Sequence, residues 1–379
     1  MEHTRTPPER ARPQNKKTLT PARARSASGH GDGHSSLPVI DIGPLFGCRE
    51  APKRGVAEQL GNAARNNGFF YIKHHNIDPR LIDAAYSQAE GFFALRNEDK
   101  VRYYIGRSAN HRGYVPVTEK GSYTDELGSR RYEAFDLALD LPPNDPDYIR
   151  GNRLLGPNIW PDMKGFRESI TDYYDALADL GRVLCRGFEI CLKLPQNYLD
   201  QYMTKPTSQL RLIHYLENRG TLTKKGMSMG AHTDYECFTV LHQRQPGLQV
   251  LNAVNQWVEA WPIEGTFLIN IGDMLEAWTN GLFKSTLHRV VNRGHERFSM
   301  PFFVAANYDA VIEPLEPLVT ESRPAKYASV IAGEHLLGQL LRDFPYLRKC
   351  HEAGKLDLSF EIPKLNPFEQ RLSQPSGVH

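Results

Sequence analysis

Two short stretches of this chain carry residue types able to hold a metal ion between them. Gly230-Ala231-His232-Thr233-Asp234 sets an imidazole and a carboxylate two residues apart. On an extended backbone residues i and i+2 point to the same side, so His232 and Asp234 can offer a nitrogen and a carboxylate oxygen to one ion. Further on, Ser285-Thr286-Leu287-His288-Arg289-Val290 reads as a strand that turns one more imidazole inward. Two histidines and one carboxylate on one face of an ion leave the opposite positions open. That arrangement suits Fe(II) enzymes that bind a co-substrate and O₂ together.

A His-x-Asp pair among fourteen histidines means little by itself, and a lone strand histidine is more often structural. Arg297-Phe298-Ser299 changes the balance, because it comes soon after His288 on what should be the next strand. Arg297 and Ser299 share a face, and a guanidinium beside a hydroxyl is a receptor for the far carboxylate of a dicarboxylic acid. Taken alone, Arg-x-Ser would be a surface salt bridge. A zinc hydrolase could also use two histidines and a carboxylate, but no His-Glu-x-x-His occurs and zinc gives Arg297 and Ser299 no task.

These residues lie where the hydrophobic period changes from 3.6 to 2. Short β runs are expected at 210–215, 238–242, 248–251, 257–260, 266–271, 284–291 and 298–305, separated by turn signals such as Gln245-Pro246-Gly247. Such spacing predicts a mainly β core, a double-sheet jelly roll (double-stranded β-helix). Before it, the pattern predicts a strand at 37–42 and helices over 52–67, 79–95 and 163–192, with a strand at 69–73 between the first two. Segment 97–160 shows no clean period and reads as a long irregular connection. A C-terminal helix is expected over 325–345. The division that follows is a tail 1–36, an N-terminal helical and strand region 37–195, a jelly-roll core 196–310 and a helical extension 311–379.

The tail holds seven Lys/Arg against three acids, a net +4, so a chain total of +2 leaves the remainder at −2. Rich in Pro, Ser, Gly and Arg with few large apolar residues, the tail is expected to be disordered. A near-neutral chain gives no reason to expect a nucleic-acid partner. No apolar run is long enough to cross a bilayer, so no membrane partner is expected either. Five cysteines without a CxxC pair fit a reducing, cytoplasmic setting.

The ordered series of motifs resembles the isopenicillin N synthase-like branch of the Fe(II)/2-oxoglutarate-dependent dioxygenases. It runs from Leu37-Pro38-Val39-Ile40-Asp41 and Gly68-Phe69-Phe70-Tyr71 through Arg112-Gly113-Tyr114 and Gly156-Pro157-Asn158. It continues through His232-Thr233-Asp234, Pro246-Gly247-Leu248, Asn270-Ile271-Gly272-Asp273, the His288 strand and Arg297-Phe298-Ser299. The resemblance implies that His232, Asp234 and His288 bind iron and that Arg297 and Ser299 hold the distal carboxylate of 2-oxoglutarate. It matches Tyr215 to a tyrosine that often hydrogen-bonds this co-substrate. It further implies oxidation, by default hydroxylation, of a C–H bond in a small-molecule substrate, with release of succinate and CO₂. Plant members commonly carry Asn where this chain has Ile213, and Leu216 replaces a common proline. A relative that binds iron without 2-oxoglutarate and a non-catalytic ligand sensor are the competing readings. Strand alternation adds Arg211, Ile213, Tyr235 and Phe303 as substrate-pocket candidates. Arg211 either receives a polar substrate group or pairs with an acid.

Overall fold

The computed structural model describes residues 37–117, 132–217, 227–291, 293–362, 366 and 368; the basic tail lies outside them. Fourteen strands are formed among the described residues. The N-terminal ones are β1 (Val39–Asp41), β2 (Phe69–Lys73), β3 (Gly113–Val115) and β4 (Tyr132–Ala138). Next come β5 (Gln209–Tyr215), β6 (Met227–His232), β7 (Phe238–Gln243), β8 (Leu248–Leu251), β9 (Trp257–Glu259) and β10 (Thr266–Ile271). The last are β11 (His288–Val291), β12 (Arg297–Val304), β13 (Val311–Ile312) and β14 (Val330–Ile331). The helices are α1 (Glu50–Asn66), α2 (Pro79–Phe93), α3 (Asn97–Lys100), α4 (Pro146–Ile149), α5 (Phe166–Leu192), α6 (Asp273–Trp278), α7 (Ala332–Asp343) and α8 (Pro345–Glu352).

The larger sheet runs β1-β2-β10-β7-β12-β5-β4-β3, and the smaller runs β6-β11-β8-β9. The expected jelly roll is therefore present, widened by four N-terminal strands. Period-2 alternation assigns each face of the larger sheet. On β12, Phe298, Met300, Phe302 and Val304 join the cluster formed with α1, α2 and α5, while Ser299 and Phe303 face a cavity on the other side. On β5, Leu210 and Leu212 face the helices and Arg211, Ile213 and Tyr215 the cavity. A second apolar cluster joins Ile213 and Tyr215 to Met229, Leu248 and Val290 of the smaller sheet and to Leu337, Leu341 and Phe344 near the C-terminus. The two clusters sandwich the sheet, so the cavity is walled on both sides before any ligand is considered.

The helical expectations over 52–67, 79–95 and 163–192 become α1, α2 and α5, each within a few residues. Three expectations need correction. Segment 97–160 is not simply irregular: it contains β3, β4 and two short helices, and all seven residues of β4 are buried. Its period was hidden because β4 carries Glu133 and Asp136, whose charges are answered by partners distant in sequence. Lys100 donates to Glu133 at 2.8 Å with both side chains buried. The run 284–291 is strand only from His288. Ser285 donates its backbone N–H to Glu276 of α6, and Lys284 donates to the Ala64 carbonyl, so these residues leave the ladder. The C-terminal helix begins at Ala332 rather than 325, and residues 330–331 form β14 against β13.

Candidate metal centre and cavity

The smaller sheet brings the two histidines together by register. His288 on β11 sits directly across from His232 on β6, and their ring centroids are 4.2 Å apart. Asp234 follows β6 by two residues and turns its Oδ1 to both rings, 3.8 Å from His232 Nε2 and 3.5 Å from His288 Nε2. One ligand atom from each residue lies within 4.8 Å of the others.

Every donor atom is aimed by a second contact. His232 Nδ1 lies 2.9 Å from the Gly230 carbonyl and His288 Nδ1 lies 3.2 Å from that of Thr286. A carbonyl can only accept, so each Nδ1 carries the proton and each Nε2 lone pair faces the common centre. On Asp234, Oδ2 accepts from Asn270 Nδ2 at 2.7 Å and from the Thr239 hydroxyl, which leaves Oδ1 for an ion. Burial, reinforced by His288, lowers His232 to about 4, so that ring stays neutral and able to ligate. Burial opposes the charge on Asp234, but the two imidazoles and Asn270 outweigh it and hold the carboxyl well below the usual range. Burial also works against a proton on His288; there the facing carboxylate prevails and the net shift is upward. An ion that displaces the proton from His288 meets two neutral nitrogens, one carboxylate oxygen and an open side, a set that fits Fe(II).

Asn270→Ala is expected to lower Fe(II) affinity by roughly 10- to 100-fold, the usual cost of losing an outer partner of a metal ligand. Metal titration would show it; unchanged affinity would mean that Asn270 does not orient Asp234.

The expected anion receptor, Arg297 with Ser299, lies on β12 of the larger sheet. Arg297 is 4 % exposed, and its Nη1 donates to Ser299 Oγ at 3.2 Å and its Nη2 to Gln243 Oε1 at 2.9 Å. The guanidinium also lies 4.6 Å from the centre of the Tyr215 ring, its cross-strand neighbour. Gly247 makes room for this packing, at φ +132°, because a Cβ there would come 2.8 Å from the Val291 carbonyl oxygen and 3.6 Å from the Arg297 side chain. No acidic side chain is bonded to Arg297 among the described residues, and its hydrogen bonds go to neutral acceptors. Its positive charge is thus left for a ligand.

One cavity is lined by His232, Asp234, His288, Tyr215 and Ser299 together with all four pocket candidates, Arg211, Ile213, Tyr235 and Phe303. Arg211 also has the acid partner that was the alternative expectation. Its Nε and Nη2 reach Asp136 at 2.8 and 3.0 Å, directly across the β4–β5 ladder. Tyr235 turns its hydroxyl to Asp343 of α7 at 3.1 Å. Sequence reasoning missed several wall residues: His111, Glu236, Leu340, Asp343 and Phe344. Of these only Glu236 carried a local signal, an acid two residues past Asp234. Burial and the neighbouring Asp234 carboxylate push Glu236 up to about 8.

Comparison with known proteins agrees with this geometry. Residues 37–163 match the N-terminal region of the non-haem dioxygenases described for morphine synthesis, and residues 206–306 match the 2OG-Fe(II) oxygenase superfamily. A homoarginine-6-hydroxylase from Oryza sativa subsp. japonica is 33% identical over 329 residues, covering 83% of this chain and 99% of the relative. A 2-oxoglutarate-Fe(II) type oxidoreductase from Metarhizium rileyi is 34% identical, covering 78% of this chain and 84% of the relative. Among solved structures, a putative 2OG-Fe(II) oxygenase from Caulobacter crescentus superposes with TM-score 0.71 at 31% identity, over 81% of this chain and 99% of that one. A Neurospora crassa protein crystallised with alpha-KG and thymine superposes with TM-score 0.70 at 26% identity, over 85% and 99% of the two chains.

The chain belongs to the 2OG-Fe(II) oxygenase superfamily. It is a dioxygenase that works with Fe(II), 2-oxoglutarate and O₂ in the hydroxylase manner of its relatives. No helix among the described residues is long and apolar enough to cross a membrane.

Proposed function

We propose that His232, Asp234 and His288 hold the iron, that Arg297 and Ser299 with Tyr215 hold 2-oxoglutarate, and that the cavity beside them hydroxylates a C–H bond of a small-molecule metabolite. One observation carries this reading: three aimed donor atoms open onto a cavity whose wall includes Ser299 and Tyr215, and these two residues touch a buried arginine that has no acidic partner among the described residues. Bound there, the metal with O₂ supplies the oxidant as 2-oxoglutarate loses CO₂ and becomes succinate.

The chain's own residues do the positioning. Arg297 grips the distal carboxylate of the co-substrate, with Ser299 Oγ beside it. Burial holds the Tyr215 phenol in its protonated form, able to donate. Ile213 has no polar group to offer, so it shapes the wall by volume alone. Leu340 and Phe344 close the cavity from the C-terminal side, which keeps water from the reacting carbon. The homoarginine and thymine named for relatives are both small nitrogen-bearing molecules, in keeping with the size of ligand proposed. The five cysteines are all free, which supports a reducing compartment such as the cytoplasm.

The test is a succinate-release screen of the Fe(II)-loaded protein against amino acids, nucleobases and aromatic metabolites. Succinate should appear in step with hydroxylated product; product formed with 2-oxoglutarate absent would refute the reading.

A further inference from the structure

Four side chains with a carboxyl or guanidinium group line the cavity: Arg211, Asp234, Glu236 and Asp343. Arg211 already donates two hydrogen bonds to Asp136, and Asp234 faces the two imidazoles. Asp343 accepts from the Tyr235 hydroxyl. Glu236 differs from all three, since its carboxyl group is paired with no other described side chain and meets only the N–H of its own backbone. It is nevertheless well placed. Its backbone carbonyl accepts from the Met274 N–H at 3.2 Å, and Gly272 is packed so closely that a Cβ there would lie 2.2 Å from that oxygen. Tyr235, the preceding residue, is pinned to α7 by its bond to Asp343. The carboxyl group therefore stands on a fixed piece of backbone at the cavity wall, with no other described side chain to pair with it.

Ionising a sheltered carboxyl group that no other side chain answers costs free energy, and a ligand cation offsets that cost. The opposite requirement also shows in the wall. His111, 2 % exposed, keeps Nε2 without a partner in the same cavity, a second polar atom left for a ligand. Between such polar points, Phe303, Leu340 and Phe344 offer an apolar surface suited to a short methylene chain.

We propose that Glu236 is the specificity-determining residue of this cavity, and that the substrate carries an ammonium or guanidinium group which its carboxylate receives. This inference rests on the metal and co-substrate assignment above and deepens it by naming the substrate class. Arg211 then serves as a wall residue fixed by Asp136. Neutral analogues of equal shape enter the cavity but leave Glu236 unsatisfied, so they bind more weakly.

The experiment is calorimetric titration, without oxygen, of the full chain loaded with Fe(II) and 2-oxoglutarate. Probes are arginine, lysine and agmatine, with citrulline as the counterpart of arginine that keeps the same α-amino acid head but has an uncharged side chain, so the comparison reads the side-chain cation. At least one cation should bind, and arginine should bind roughly tenfold or more tightly than citrulline, as expected for a charge-assisted hydrogen bond. Glu236→Gln should erase that preference and Glu236→Asp should keep part of it. Equal binding of arginine and citrulline by the unaltered protein overturns the inference, and so does a panel in which no cation binds. The same ratio in the unaltered protein and in Glu236→Gln also overturns it. A separate titration with 2-oxoglutarate tests the underlying assignment: failure to bind it would sink that assignment rather than the role of Glu236 alone.

Discussion

Asp234→Ala is expected to reduce 2-oxoglutarate turnover to background and to weaken Fe(II) binding by at least ~100-fold, beyond the usual effect of losing an outer partner. The size follows from what the carboxylate does. It is the only anionic donor of the three, it is 7 % exposed, and it faces both imidazoles through Oδ1. Alanine leaves two neutral nitrogens that cannot offset the ion's charge, and it strands Asn270 Nδ2 and the Thr239 hydroxyl. Loss of these buried bonds costs stability too, so the thermal midpoint of the metal-free protein should be compared first. Tight Fe(II) binding by a folded Asp234→Ala protein would remove the proposed metal site.

Arg297→Gln is expected to raise KM for 2-oxoglutarate by roughly ten- to a hundredfold while kcat at saturation changes much less. The guanidinium is remote from the donor atoms but bonded to Ser299 and Gln243, so its removal weakens grip rather than chemistry. Arg297→Lys keeps the charge and loses the planar fork, and should fall between the two. Steady-state kinetics with 2-oxoglutarate as the varied substrate would separate the parameters. An unchanged KM would show that the co-substrate is held elsewhere.

Much of this site was legible because its parts sit on single strands. Period-2 alternation alone puts Arg297 with Ser299, and Arg211 with Ile213 and Tyr215, on the faces where the structure has them. What was not legible lies across strands or far along the chain. Asp136 answers Arg211 through the β4–β5 ladder, yet no local spacing connects residues 75 positions apart. Gln243 meets Arg297 from β7 by the same cross-strand route. Asp343 and Phe344 reach the cavity by packing against Tyr235, Arg211 and His111, a matter of tertiary contact with no signature in the helix itself. β4 was missed for a related reason. Its charged residues broke the period, so it read as part of an irregular connection, and Lys100, Tyr114 and His214 on Glu133 with Arg211 on Asp136 explain how those charges are buried.

The two imidazoles owe their orientation to main-chain oxygens at positions 230 and 286, which every amino acid supplies. Side-chain changes at those two positions therefore leave the ring tautomers untouched. The carboxylate has no such insurance, since its alignment depends on the particular side chains at 239 and 270. Genetic drift around this centre should accordingly be tolerated beside the histidines and purged beside the aspartate.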